Sequence, residues 1–143
     1  EGSGAHLGIA LVKLYLNNEL PPSLRVAFED KFKINRNVIL DNVYRKPHPN
    51  KYLANFSSFL FEHKSNPFIN FTVTSCFLEF FNKHVKNYPL YSEYKLRMIG
   101  SIAFYFSDIL QECALASEMS IDKIVQLPID DLVTFVMDNE GIE

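Results

Sequence analysis

Two short segments place glycines beside side chains that can hold a ligand. The first is EGSG, Glu1–Gly4. Glycine lets the backbone approach a ligand closely, and the start of a following helix would add free N–H groups with partial positive charge. The carboxylate of Glu1 could accept hydrogen bonds from the hydroxyls of a sugar. A capped helix start, with glycines packed against a neighbouring element, explains the same residues, so both interpretations stay open.

The second segment is MIGSIAFYF, residues 98–106. A strand that ends in Gly-Ser and opens a helix often holds a phosphate or a nucleotide. Gly100 would let a flat ligand lie on the backbone, and Ser101 could donate a hydrogen bond or cap the helix. The segment lacks the P-loop lysine and the G-x-G-x-x-G pattern, which excludes both signatures. An ordinary strand-to-helix turn is the alternative.

The other reactive side chains show no catalytic or metal-binding spacing. The four histidines are expected to be structural or surface residues: His6, His48, His63 and His84. Cys76 and Cys113 lie far apart and are expected to be buried free thiols. Asp130 and Asp131 are expected in the first turn of a closing helix, where the helix dipole stabilises negative charge and explains their presence. The phenylalanines between residues 71 and 81 are expected in the core, since no basic residues alternate with them.

The composition is that of an ordinary folded domain with an aromatic core. The chain has 143 residues, 48% hydrophobic and 22% charged, with 13 Phe and 7 Tyr. Its formal net charge is −3, without a basic segment, which argues against nucleic acid as a partner. The apolar stretches are too short to span a bilayer, and the thiols fit a reducing compartment. We therefore expect a cytoplasmic protein without a membrane partner.

Apolar periodicity predicts about five helices in residues 1–90. Ser3, Asn35 and Asn66 are the expected N-caps, with Pro67 at the first position of its helix. One helix is predicted to start at Asn50, and a long one to run from Pro67 to Asn87. Three inner faces are predicted: Leu7, Ala10, Leu11 and Leu14; Val38, Ile39, Val43 and Tyr44; Val73, Phe77, Phe80, Phe81, His84 and Val85.

Residues 95–137 are predicted to form a strand-helix-strand-helix unit. The strands are Leu96–Ile99 and IDKIVQLP, residues 121–128, joined by a helix with Ile102, Phe106 and Ile109 inward. Two parallel strands joined by a helix imply a crossover, and a lone pair is marginally stable. We therefore expect a helix-rich α/β fold whose sheet is completed by strands outside this chain. IDDLVTFVMD, residues 129–138, is the expected closing helix.

Three segments together resemble the N-acetylglucosamine kinase-like ATPases. EGSGAHLG resembles a segment of that family, and VYRKPHPNKYLANFSSFLFEH resembles its bacterial members. MIGSIAFYFSDILQE with KIVQLPIDDLVTF completes the likeness, which covers nearly all of residues 1–143. The family includes the activators of benzoyl-coenzyme A reductase and belongs to the sugar kinase–Hsp70–actin superfamily. The resemblance implies the C-terminal lobe of a two-lobed ribonuclease H-like, actin-like ATPase fold.

The resemblance also assigns ligands to the two glycine segments. ATP and Mg²⁺ would lie in the cleft between the lobes, with Glu1, Gly2, Ser3 and Gly4 near the sugar. Gly100, Ser101 and Tyr105 would lie at the adenosine. The family has a serine at the position of Tyr105, so that contact departs from the pattern. The family's sugar-binding aspartate would precede residue 1.

The resemblance places the catalytic aspartate and the first phosphate loop in the N-terminal lobe, which has no counterpart here. We therefore expect no catalytic or metal-binding residue in this chain, and no sugar phosphorylation by it alone. The expected partners are ATP, an amino sugar such as N-acetylglucosamine, and the missing lobe, while homodimer formation is left open. The alternative is a non-catalytic helical module that binds a partner protein, for which amphipathic helices suffice.

Overall fold

A computed structural model describes residues 3–126. Its first part contains helices α1 Gly4–Leu16, α2 Pro22–Phe32, α3 Arg36–Tyr44, α4 Pro49–Ala54, α5 Ser57–Glu62 and α6 Pro67–Phe80. A π-helical turn, Phe81–Val85, extends α6, and a 3₁₀ turn, Tyr91–Glu93, follows. Then come strand β1 Lys95–Ile99, helices α7 Ser101–Tyr105 and α8 Ser107–Ala116, and strand β2 Ser120–Val125.

The three predicted side-chain caps are present. The Ser3 hydroxyl accepts a hydrogen bond from the His6 backbone N–H at 3.1 Å. Asn35 accepts from Val38 N–H at 3.0 Å, and Asn66 accepts from Phe68 N–H at 2.9 Å. Each cap satisfies a donor that the first helical turn leaves without a partner. These polar residues therefore set the starts of α1, α3 and α6.

Three predicted helices are interrupted or end early. The helix expected from Asn50 starts at Pro49 and divides into α4 and α5. Between them the hydroxyl of Ser57 donates to the Ala54 carbonyl at 2.7 Å, a side-chain bond that competes with the helix ladder. The helix after Gly100 is likewise divided at Phe106, whose backbone leaves helical geometry while its ring is 1% exposed. The helix expected to reach Asn87 is regular only to Phe80.

The core is largely aromatic. Phe28 lies at its centre and makes edge-to-face contacts with Tyr15, Phe32, Phe56 and Phe59 at centroid distances of 5.2–5.5 Å. Edge-to-face pairs of this kind stabilise beyond their buried area. The predicted faces need correction: Tyr44 is 79% exposed, and Val38 and His84 are also exposed, because no further element covers those helix sides in the described chain. On α1, Gly8, Val12 and Tyr15 take the buried positions expected for Ala10 and Leu14.

The two strands pair in parallel, as predicted, and together form a two-stranded sheet in the described residues. The crossover between them consists of α7 and α8, which pack against the strands, and α6 packs on α8. The register shifts after Leu96, because Leu96 pairs with Ile121 but Arg97 pairs with Lys123. Asp122 is therefore the extra residue of a bulge. The predicted closing helix at 129–138 lies outside the described residues.

Candidate functional site

Residues of both glycine segments, which are far apart in the sequence, line one open cleft of about 410 Å³. Ser3 and Gly4 contribute the start of α1, and Gly100 and Ser101 contribute the turn between β1 and α7. Gly4 and the α7 side meet directly, since a Cβ on Gly4 would lie 3.6 Å from the Ile102 Cδ1 atom. Packing of α1 beside α7 therefore brings the two segments together.

Gly100 takes a backbone conformation that other residues rarely adopt. Its φ is 126° and its ψ is 166°, and no heavy atom lies within 4 Å of where its Cβ would be. Side chains at such a φ are strained whatever the space around them. Glycine is therefore required here for the turn, and the space over its backbone is open to the cleft.

Ser101 does not cap its helix. Gly100 occupies the N-cap position of α7, and Ser101 is the first helical residue, without a side-chain hydrogen bond at this helix start. The residue is exposed and lines the cleft. Its hydroxyl is available to a bound molecule, so the capping explanation of this serine is not what the fold uses.

The walls of the cleft are mostly apolar. Phe77 and Phe80 come from α6 and Leu110 from α8, and the strand side adds the residues from Arg97 to Ile99. Arg97 carries the charge in this lining, and the described lining residues include no carboxylate, histidine or cysteine. Such a surface can bind a flat apolar group and an anion. Within residues 3–126 it has no general base and no set of metal ligands.

Of the remaining predicted site residues, the structure describes Tyr105 alone. Glu1 and Gly2 are outside the described residues. Tyr105 is not in the cleft lining: its ring packs edge-to-face on Phe61 at 5.2 Å, and its hydroxyl accepts from the Gln126 side chain at 3.2 Å. Gly8 has a packing role, since a Cβ there would lie 1.9 Å from the carbonyl oxygen of Leu53 in α4. Gly4 thus lines the cleft, whereas Gly8 allows the close approach of α1 and α4.

Within the described residues, the histidines and cysteines form no cluster that could hold a metal ion. His63 packs on Phe59 at 4.3 Å, and His48 precedes α4 with a φ of 59°. His6 is half-buried, with Nε2 3.7 Å from Glu79 Oε2. Burial, with a smaller effect of Glu79, raises the pKa of Cys76 to about 11. Burial and then Glu112 raise the pKa of Cys113 to about 11 as well.

Sequence reasoning missed Arg97, which the structure places in the cleft lining. The alternation of the strand carried a usable signal. Arg97 and Ile99 share the exposed face of β1, whereas Leu96 and Met98 are half-buried against the core. A basic residue on the open face of a strand, three positions before a Gly-Ser turn, could therefore have been predicted as a candidate site residue.

A solved structure from Porphyromonas gingivalis, described as a "Putative N-acetylglucosamine Kinase", matches this fold with a TM-score of 0.88. The two sequences are 31% identical, and the match covers 98% of this chain. It covers 49% of the Porphyromonas chain, so this chain spans about half the length of that protein. This chain shares its fold with half of a kinase-like protein. No protein-family model and no curated protein matches the sequence.

The structural match supports the kinase-like resemblance seen in the sequence. It covers almost the whole chain. The fold is helix-rich α/β with a small parallel sheet, as predicted. Among residues 3–126, none of the helices is both long and apolar enough to cross a membrane.

Proposed function

We propose that this chain is the C-terminal lobe of an ATP-dependent amino-sugar kinase, acting on N-acetylglucosamine or a related sugar. The observation that carries the proposal is the shared cleft, which is lined by Ser3, Gly4, Gly100 and Ser101 together. The similarity to half of the Porphyromonas gingivalis protein supports it. In this role residues 1–90 form the helical part of the lobe and residues 95–137 its nucleotide-side unit.

The cleft fits the adenosine end of a nucleotide. The open backbone at Gly100 can take a flat ring, Ile99 and Ile102 offer apolar contact, and the Ser101 hydroxyl can hydrogen-bond a polar edge. The Ser3–Gly4 side of the cleft, with the start of α1, would face the sugar. Tyr105 would act indirectly. Its ring packs on Phe61 and its hydroxyl accepts from Gln126, so it would support the turn without touching the nucleotide.

The described residues do not fit Mg²⁺. Magnesium is held by carboxylates and phosphate oxygens, and the described lining of the cleft has no carboxylate. Proton removal from a sugar hydroxyl also needs a base that this lining lacks. We therefore place the metal ligands and the catalytic base in a second, N-terminal lobe, and expect the 143-residue chain alone to phosphorylate no sugar. The strands β1 and β2 would join a larger ribonuclease H-like sheet in the complete protein, since two strands are marginal.

The cysteines favour the kinase over the reductase-activator branch of the resembling family. The activators of that family hold an iron–sulfur cluster between two subunits through cysteine ligands, whereas Cys76 and Cys113 are both buried inside this chain. A colourless purified protein without iron is expected. A brown protein with stoichiometric iron would instead favour the activator chemistry.

The test is sugar-dependent ADP release by the native-length protein with ATP, Mg²⁺ and N-acetylglucosamine. Thermal stability is measured in parallel, because a ligand that binds the folded state raises the melting temperature by mass action. We expect ADP release with an amino sugar and stabilisation by ATP-Mg²⁺. If no nucleotide shifts the melting temperature and no sugar elicits ADP, the kinase proposal fails and a helical protein-binding module becomes the better account.

A further inference from the structure

Arg97 is the charged side chain in the described lining of the cleft. It lies on β1, three residues before Gly100, and its side chain is 76% exposed. Its strand neighbours Leu96 and Met98 are half-buried on the opposite face. Alternation along the strand therefore holds Arg97 on the open face, at the edge of the cleft.

Asp122 contacts the Arg97 guanidinium through one of its three nitrogens. The Arg97 Nε atom donates to Asp122 Oδ2 at 3.2 Å, and this is the hydrogen bond the side chain makes within the described residues. Among residues 3–126 the two terminal nitrogens of the guanidinium have no hydrogen-bond partner, and they are the pair that binds phosphate in a bidentate manner. Bulges commonly redirect a side chain, and Asp122 is the bulged residue of β2.

The charges around Arg97 favour an anion. Lys95 lies two residues before it on the same strand, and Lys123 is its partner in the register; both are exposed. Asp122 is the acidic residue of these two strands. Over these two strands three cations stand against one carboxylate, which favours an anion beside a cleft whose described lining has no acid.

We propose that Arg97 binds a phosphate group of the nucleotide in the cleft, and that Asp122 is a positioning residue which orients the guanidinium. The inference rests on the proposed function for the identity of the ligand. It deepens that function by adding a phosphate contact from this lobe. The anion is recognised by the two free guanidinium nitrogens, while the Gly100 turn takes the base and ribose.

The experiment measures binding of ATP, ADP, adenosine and inorganic tripolyphosphate to the native-length protein by calorimetry. Arg97→Gln should weaken ATP, ADP and tripolyphosphate about tenfold and leave adenosine within about twofold. The matched control is Lys95→Gln, which removes the same charge from the same face of β1, outside the cleft lining. It should change ATP affinity by less than about twofold.

Asp122→Asn separates positioning from a general structural effect. We expect it to weaken ATP about threefold in the wild-type background and to have no effect in the Arg97→Gln background, because its action requires the arginine. Equal losses in both backgrounds would contradict the positioning role.

The outcomes also separate this inference from the proposed function. Nucleotide binding that Arg97→Gln does not alter, or adenosine and ATP weakened equally, would overturn the phosphate contact while the kinase proposal stands. Tripolyphosphate binding that depends on Arg97, without any nucleotide binding, would support an anion site at Arg97 but contradict the nucleotide as its ligand. Failure of the wild-type protein to bind either ligand would overturn both.

Discussion

A Cβ atom on Gly8 would lie 1.9 Å from the carbonyl oxygen of Leu53 and 2.7 Å from its carbonyl carbon. Both contacts are with backbone, which cannot swing aside as a flexible side chain could. Helices α1 and α4 therefore approach each other at a distance that only glycine allows at residue 8. This contact explains part of the glycine enrichment at the start of the chain without any ligand.

Gly8→Ala should destabilise the fold by about 1–3 kcal/mol, because the added methyl forces α1 and α4 apart. Urea denaturation measures the change. Gly4→Ala is the matched control, since a Cβ there would meet Ala54 Cβ at an ordinary 3.4 Å. The control should be neutral or slightly stabilising. A Gly8→Ala protein as stable as the wild type would show that the two helices are not in this contact.

Asn66→Ala should cost about 1 kcal/mol of unfolding free energy. The Asn66 side chain accepts from Phe68 N–H at 2.9 Å and from Ile69 N–H at 3.4 Å, and Ile69 is fully buried. Asn66→Asp keeps an acceptor at the helix start and should recover most of the loss. If the aspartate variant is as unstable as the alanine variant, the cap is not the source of the effect.

We expect the folded protein to lose stability at alkaline pH because Tyr15 then loses its proton. Its hydroxyl donates to Glu29 Oε1 at 2.6 Å, and burial followed by this bond raises the pKa of Tyr15 from 10.0 to about 12. Because the folded pKa is the higher one, the stabilisation is complete below pH 10 and is lost as the pH rises from 10 toward 12. The loss is at most about 2–3 kcal/mol.

Tyr15→Phe is the control for that loss. It removes the hydroxyl but leaves Glu29 beside Arg25, whose Nε lies 3.5 Å from the carboxylate. The variant should be about 1 kcal/mol less stable at pH 7. The gap from the wild type should shrink as the pH is raised above 10 in matched urea titrations. A constant gap up to pH 11.5 would show that Tyr15 titrates normally.

The two thiols should be unreactive in the folded protein. With a pKa of about 11, each of Cys76 and Cys113 is about 0.1% thiolate at pH 8 and is also buried. We expect an aromatic disulfide reagent to titrate both only after denaturation. Ser92→Cys, at an exposed position, should react within the mixing time of a bench assay. Fast reaction of a native cysteine would contradict its burial.

The helix starts were predictable because caps act locally. Asn35 and Asn66 bond backbone groups two or three residues away, so the sequence alone determines them. The parallel strand pair was predicted from the order strand, helix, strand along the chain, because a helical connection between two strands implies a parallel crossover. The break at Phe106 and the exposure of Tyr44 depend on tertiary packing. The residues that determine those features are distant in the sequence, so the periodicity of apolar residues does not reveal them.

The site was predictable in part for the same reason. Gly100 carries a local signal, because a strand-to-helix turn with positive φ favours glycine. The presence of Ser3 and Ser101 on one cleft was inferred from the resemblance, and the packing of Gly4 beside Ile102 produces it. The close approach of Gly8 to Leu53 and the position of Arg97 depend on helix contacts and strand register, which spacing does not reveal.

Ser101→Ala distinguishes a ligand contact from a structural role at the Gly100 turn. Ser101 makes no cap bond, so its loss should change the unfolding free energy by no more than about 0.5 kcal/mol. Under the proposed function it should weaken adenosine and ATP equally, by about three- to tenfold, because a hydrogen bond to the nucleoside is removed. Gly100→Ala, by contrast, should cost about 1–3 kcal/mol through backbone strain alone, since its Cβ would meet nothing within 4 Å. Calorimetry and urea denaturation on both variants give the comparison. A Ser101→Ala protein that binds nucleosides like the wild type would remove the serine from the site.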